Sequence, residues 1–272
     1  MNAGLAGRYV GPPGQQIHLL EGGILLEGSG GRPLWCLHAT AYSGRSFTPF
    51  LEAMAPRRRV VAVDAPGYGA SDPPPQPMPI EGYARAIAVA FDEAEAGSVD
   101  LFGYHTGALV AAELARQRPD KVSRLILIGV PYFLGAEREA WRVRLAEPTW
   151  LSEDFAQFQH RWDYFITRRA PGVSLARGFD NFVDELRAYP RGWWAHEAAF
   201  TFDVADCFGG VRQPTLVINP RNHLAEASRR AAGALANGRL LEMPHLENGI
   251  FDVAADELAT IMDEFLRAPA AP

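Results

Sequence analysis

Short apolar runs alternate with helically spaced stretches along most of this chain. Residues 33–37, 60–63, 99–102, 124–129, 214–218 and 239–243 read as strands bounded by turn residues. The most continuous of them have the pattern of strands buried on both faces. Between them, residues 46–55, 80–96, 108–118, 225–236 and 254–266 carry helical periodicity. Ile87 and Phe91, for instance, are spaced to share one face. Residues 16–20 and 24–27 suggest a hairpin turning at Gly22-Gly23. From 131 to 206 the strand signals stop, and Trp, Phe, Tyr and Arg recur at mixed helical spacings. The alternation predicts an α/β protein with a mostly parallel sheet flanked by helices. Residues 1–130 and 207–272 form its core, and 131–206 are a helical insertion.

Turn chemistry sharpens the boundaries. The strand at 60–63 runs into Asp64-Ala65-Pro66-Gly67-Tyr68-Gly69-Ala70-Ser71-Asp72, dense in turn formers. The proline-rich stretch 73–79 cannot be helical and is expected to be an extended loop. The tryptophans of the insertion, Trp141, Trp150, Trp162, Trp193 and Trp194, have two readings. They build the insertion's own small core, or some of them line an apolar pocket facing the sheet.

Composition narrows the function. A chain of 272 residues, 48% hydrophobic, can bury a large core. A net charge of -6 argues against a nucleic-acid surface, and Arg57-Arg58-Arg59, the one basic triplet, reads as a solvated loop. Two cysteines, Cys36 within an apolar run and Cys207, give no disulfide framework and suit a reducing cytoplasm. The first residues lack the basic start and apolar core of a secretion signal, and no apolar run approaches the roughly 20 residues of a membrane span. The expectation is a cytoplasmic protein with a small-molecule substrate, no cofactor, and neither nucleic acid nor membrane as partner.

The chemistry concentrates at Gly103-Tyr104-His105-Thr106-Gly107. Strand, Gly-flanked turn and helix is the frame G-x-S-x-G of a nucleophile elbow, with histidine in place of serine. Histidine is among the few non-glycine residues enriched at positive φ. The helix start that follows disfavours imidazolium, so His105 is expected to be neutral near pH 7. Of seven histidines, His38, His105, His223 and His245 fall just after the C-terminal ends of expected strands. That edge is where open α/β sheets bind ligands.

These blocks resemble the α/β-hydrolase superfamily over nearly the whole chain, and in particular a subset with histidine at the elbow. Leu37-His38-Ala39-Thr40 is similar to its His-Gly oxyanion loop, residues 64–72 to its D-x-P-G-x-G-x-S-D loop, and the insertion to its helical cap. The resemblance implies an oxyanion hole from the backbone amides of Thr40 and Thr106. It also locates three departures. His105 replaces the serine. His223, in Ile218-Asn219-Pro220-Arg221-Asn222-His223, stands at the acid's place. Asn248 stands at the base's place, with His245 three residues before it. Serine-triad chemistry therefore does not transfer.

The leading expectation is an enzyme acting on a small apolar carbonyl compound, by default an ester or lactone hydrolase. His105 serves as base or nucleophile, His223 or His245 relays protons and Asn248 orients a partner. Proton abstraction by a lyase or isomerase needs the same base and oxyanion hole. Two further alternatives are a metal site from His105 and His223 with His38 or His245, and a non-catalytic binding protein. Candidate pocket residues are His38, Tyr42, Tyr104, Trp141 and Trp162.

Overall fold

The computed structural model describes residues 4–23, 31–94, 96–189 and 191–269. Its strands are β1 (Ala6–Val10), β2 (Ile17–Gly22), β3 (Leu34–Leu37), β4 (Val60–Val63), β5 (Val99–Tyr104), β6 (Val122–Ile128), β7 (Thr215–Pro220) and β8 (Gly238–Met243). They form one sheet in the order β1-β2-β4-β3-β5-β6-β7-β8. The pairs β1–β2 and β2–β4 are antiparallel and all the others parallel. The crossing from β4 through β3 to β5 places the elbow strand in mid-sheet, as a ligand site at strand ends requires.

The period-two pleat sorts each strand onto two cores. Trp35, Leu37, Val61, Val63, Leu101, Leu125 and Val217 face one side, packed with helices α2 (Ile80–Glu93) and α3 (Thr106–Gln117), whose numbering follows α1 (Thr48–Met54). Cys36, Val60, Ala62, Phe102, Ile126, Ile128 and Ile218 face the other side, against α1 and the C-terminal helices. Being buried on both faces is why these strands read as continuous apolar runs rather than as alternations.

Between β6 and β7 the chain forms α4 (Gly135–Leu145), α5 (Ala156–Trp162), α6 (Leu175–Ala188), α7 (Trp194–Thr201) and α8 (Val204–Gly210). A π-helical turn, Asp163–Thr167, follows α5. The remaining helices are α9 (Ala225–Ala234), α10 (Ile250–Val253) and α11 (Ala255–Arg267). The insertion is only partly self-contained. Phe165, Ile166 and Phe182 form a small cluster of their own, whereas Ala195, Ala198, Phe200 and Val204 belong to the main core. Trp150 is 74% exposed and serves neither. Among the described residues no helix is long and apolar enough to cross a membrane.

Two sequence expectations need correction. The hairpin partner of β2 is β1, which precedes it; residues 24–27 lie outside the described residues. The basic triplet is not simply solvated, because Arg58 is buried. Its guanidinium joins Asp100 of β5 at 3.2 Å to Asp263 of α11 at 3.0 Å, with Arg32 closing on Asp100 from outside. Burying a guanidinium is tolerable only with such pairing. The partners lie far from residue 58 in sequence, so a local charge pattern could not reveal them.

Candidate active site

His105 sits between β5 and α3 with φ 51° and ψ -115°, the only non-glycine with positive φ among the described residues. Two glycines make the turn possible. A Cβ at Gly107 would lie 2.1 Å from the Leu37 carbonyl oxygen, and one at Gly103 2.5 Å from that of Gly107. The Thr106 amide opens α3 and has no acceptor within the helix. Thr40, at the end of the loop after β3, is the position expected to supply the second oxyanion donor.

A third glycine shapes the site and is not part of the elbow motif. Gly129, just past β6, has φ 62°, and a Cβ there would meet His105 Cδ2 at 2.5 Å and Nε2 at 2.7 Å. The imidazole thus lies with its Cδ2–Nε2 edge against Gly129, leaving Nδ1 on the opposite edge. Tyr104 packs beside the ring with centroids 4.0 Å apart. Nε2 is buried with no hydrogen-bond partner among the described residues. Burial, reinforced by His223 and His196, pushes the His105 pKa down to about 3. The imidazole is neutral throughout the physiological range.

The other histidines divide clearly. His223 follows β7, and its ring stands 6.0 Å from that of His105, nearly perpendicular to it. Burial and the Arg144 guanidinium lower its pKa as well. Trp141 of α4 stacks on Phe133 at 5.3 Å and approaches His223 at 5.5 Å. His38 is fully committed elsewhere. Its Nε2 accepts the Ala65 amide at 3.0 Å, so Nδ1 carries the proton donated to the Ala39 carbonyl at 2.8 Å. It braces the oxyanion loop to the loop after β4, and neither nitrogen is free for substrate or metal. His245 is exposed, pairs through Nε2 with Glu257 of α11 at 3.0 Å, and makes no hydrogen bond to His105. Asn248 is also exposed and does not hydrogen-bond His105. It lines a cavity of about 390 Å³ with Tyr42, Tyr164, Phe165 and Asn181. Trp162 packs edge-on against Phe182 at 5.4 Å, within the cap.

Of the candidate residues, then, the elbow gathers His105, His223, Tyr104 and Trp141, while Tyr42, His245 and Asn248 line the neighbouring cavity. The metal alternative joined His105 and His223 to His38 or His245. His38 has both nitrogens engaged, and among the described residues no three His, Cys, Asp or Glu side chains group as metal ligands. His196 was not foreseen. It comes from α7, half-buried, with its pKa pushed down to about 4 by desolvation. Its place in a Trp-Trp-Ala-His run gave only a helix-face signal, and what brings it near His105 is the docking of the cap.

The loop after β4 is a brace, as its turn-rich sequence suggests. Asp64 accepts the amides of Gly44 and Ala70 and pairs with His18 Nδ1 at 2.9 Å. These bonds hold its carboxyl below the ordinary range despite burial. Ser43, beside the oxyanion loop, donates to Asp184 of α6, which ties cap to core.

The family model for the alpha/beta hydrolase fold matches residues 32–166, from the oxyanion strand through the elbow into the cap. The chain has the α/β-hydrolase fold. Among curated relatives, it is 24% identical over 240 residues to a pimeloyl-[acyl-carrier protein] methyl ester esterase of Nitrosomonas europaea, covering 84% of this chain and 91% of that one. A poly(3-hydroxyalkanoate) depolymerase of Ectopseudomonas oleovorans is 34% identical over 79 residues, 29% of this chain and 28% of the depolymerase. The chain thus spans under a third of the latter's length. Among solved structures, the enol-lactonase from Burkholderia xenovorans superposes with a TM-score of 0.73 at 22% identity, covering 96% of this α/β-hydrolase-fold chain and all of the lactonase. That likeness speaks to the fold.

Proposed function

We propose that this α/β-hydrolase-fold protein is an enzyme that hydrolyses an ester or lactone of a small carbonyl compound. His105 acts as the general base, and the Thr40 and Thr106 amides receive the oxyanion. The reading is carried by one observation. A neutral imidazole is held at a strained elbow, with its Nε2 buried and unpartnered, beside a helix N-terminus. Positive φ costs about 1–3 kcal/mol, and an orphaned buried polar atom about the same again. A chain that only needed the fold would avoid both costs with glycine. The activities for which the two curated relatives are named, depolymerase and methyl ester esterase, agree with acyl chemistry.

In the base route, water gives a proton to His105 Nδ1 while its oxygen bonds the carbonyl carbon. The carbonyl electrons move onto oxygen, facing the two amides. The tetrahedral species then collapses, the bond to the leaving oxygen breaks, and the imidazolium returns its proton to that oxygen. An imidazole this reluctant to ionise needs the oxyanion close by, because the charges form together in a dry site where their attraction is strong. In this reading His223, whose ring is 6.0 Å away, passes protons between His105 and solvent. Asn248, exposed on the neighbouring cavity, binds substrate in this reading rather than orienting the base.

The test is turnover of a panel of short-chain aryl esters and lactones by the wild type and His105→Ala. Loss of a general base is worth roughly 100- to 10,000-fold in rate, so His105→Ala should lose at least 100-fold in kcat/KM. Serine-directed phosphonate inhibitors should leave the wild type active. Undiminished turnover in His105→Ala would overturn the mechanism.

A further inference from the structure

The elbow is connected to the cap surface by a series of packed rings. The His105 and His223 rings are 6.0 Å apart, His223 and Trp141 are 5.5 Å apart, and the Arg144 guanidinium lies 5.2 Å over Trp141. Arg144 also lines a cavity of about 300 Å³ beneath the cap, with Ala41 of the oxyanion loop, Arg161, Glu185, Trp193 and His196. That volume is at the small end of ligand pockets.

The charges in this cavity do not balance at Arg144. Arg161 is closed on Glu185 at 3.0 Å. Of the other α4 arginines, Arg142 is held by Glu139 and Glu197, and Arg138 donates to the Phe202 carbonyl. Arg144 has no carboxylate within ion-pair distance and no hydrogen-bond acceptor among the described residues, Glu147 of the same cavity included. His196 and His223 offer neither a competing cation nor an anion, since burial lowers both pKa values. What is left is one exposed guanidinium stacked on an indole, with its planar donor fork open at a small chamber that reaches the oxyanion loop at Ala41. That fork matches a carboxylate bidentately, which an ammonium does not.

We propose that Arg144 docks a carboxylate of the substrate, so that the site takes an ester or lactone whose acyl part carries a second, ionised carboxyl group. Trp141 covers the apolar body between that carboxylate and the reacting carbonyl. This rests on the hydrolytic reading for its kinetic test but not for its binding test.

Two measurements on the full chain separate them. The first is calorimetric binding of adipate against adipamide, and of shorter and longer diacids, to the wild type, Arg144→Gln, Arg144→Lys and Arg142→Gln. The second is kcat/KM for mono-p-nitrophenyl adipate against p-nitrophenyl hexanoate in the same proteins. The wild type should favour the carboxylate-bearing ligand by roughly tenfold or more, the worth of a charged hydrogen bond, expressed in KM. Arg144→Gln should bring the ratio to within about twofold, and Arg144→Lys should fall between. Arg142→Gln removes an equal charge two residues away and should keep the ratio. If neither ester is turned over but diacid binding still depends on Arg144, the hydrolytic reading fails and the docking residue stands. No diacid preference in the wild type, or a preference that survives Arg144→Gln, overturns the proposal.

Discussion

His105 concentrates three costs in one residue: positive φ, a buried nitrogen without a partner, and a pKa near 3. Replacing it with glycine relieves the first two and forfeits some ring packing. His105→Gly should therefore be inactive yet more stable by about 1 kcal/mol, raising Tm by about 2–4 °C in calorimetry. The pH dependence follows from the third. In the unfolded chain the imidazole has its ordinary value of 6.5, and in the folded chain about 3. As pH falls through that window the unfolded chain takes up a proton that the folded one refuses, so stability falls with it. Urea unfolding at pH 7.5 and pH 5 should show this loss in the wild type and a smaller one in His105→Gly. His196, also depressed, keeps part of the slope in both.

Elements differ in how openly the sequence announced them. The strands and α3 were legible because burial on both faces leaves continuous apolar runs, and the elbow because only a Gly-flanked turn permits its backbone. The site's cap side was not. The π-helical turn at Asp163–Thr167 and the approach of His196 depend on how α5 to α7 dock on the sheet edge, which no local spacing encodes. Among the described residues two buried polar fastenings cross the seam between cap and core: the Ala195 amide donates to the Tyr68 hydroxyl at 3.0 Å, and Ser43 donates to Asp184, where burial and Asp64 hold the Asp184 carboxyl above its usual range. Ser43→Ala removes the donor and leaves that carboxylate short of a partner, at about 1–3 kcal/mol. Its effect should be local, seen as faster amide hydrogen exchange in Leu175–Ala188 with β5 and β6 unchanged. Equal acceleration everywhere would show that the Ser43 fastening does not set the cap's stability.

At the scale of the whole molecule, the two ends of the strands do different work. The C-terminal edge carries the histidines, and the N-terminal edge carries the Arg58–Asp100–Asp263 network that pins α11 beneath the sheet. Removing Arg58 takes the buried partner from two carboxylates, leaving the almost fully buried Asp100 to Arg32 alone and Asp263 to the exposed Arg267, so Arg58→Ala should cost about 3 kcal/mol and lower Tm by about 6 °C or more. Its His105-dependent turnover at 25 °C should persist, since the network lies at the far end of β5. The fold was readable from pattern alone, whereas this network and the pairing of His105 with Gly129 join residues that only folding brings together. That last contact makes two distant positions depend on each other. An imidazole at the elbow requires a bare backbone at the end of the next strand, because any side chain there would evict the ring. Position 105 and position 129 thus form a two-letter lock. A side chain at 129 would therefore displace the imidazole without any change at 105 itself.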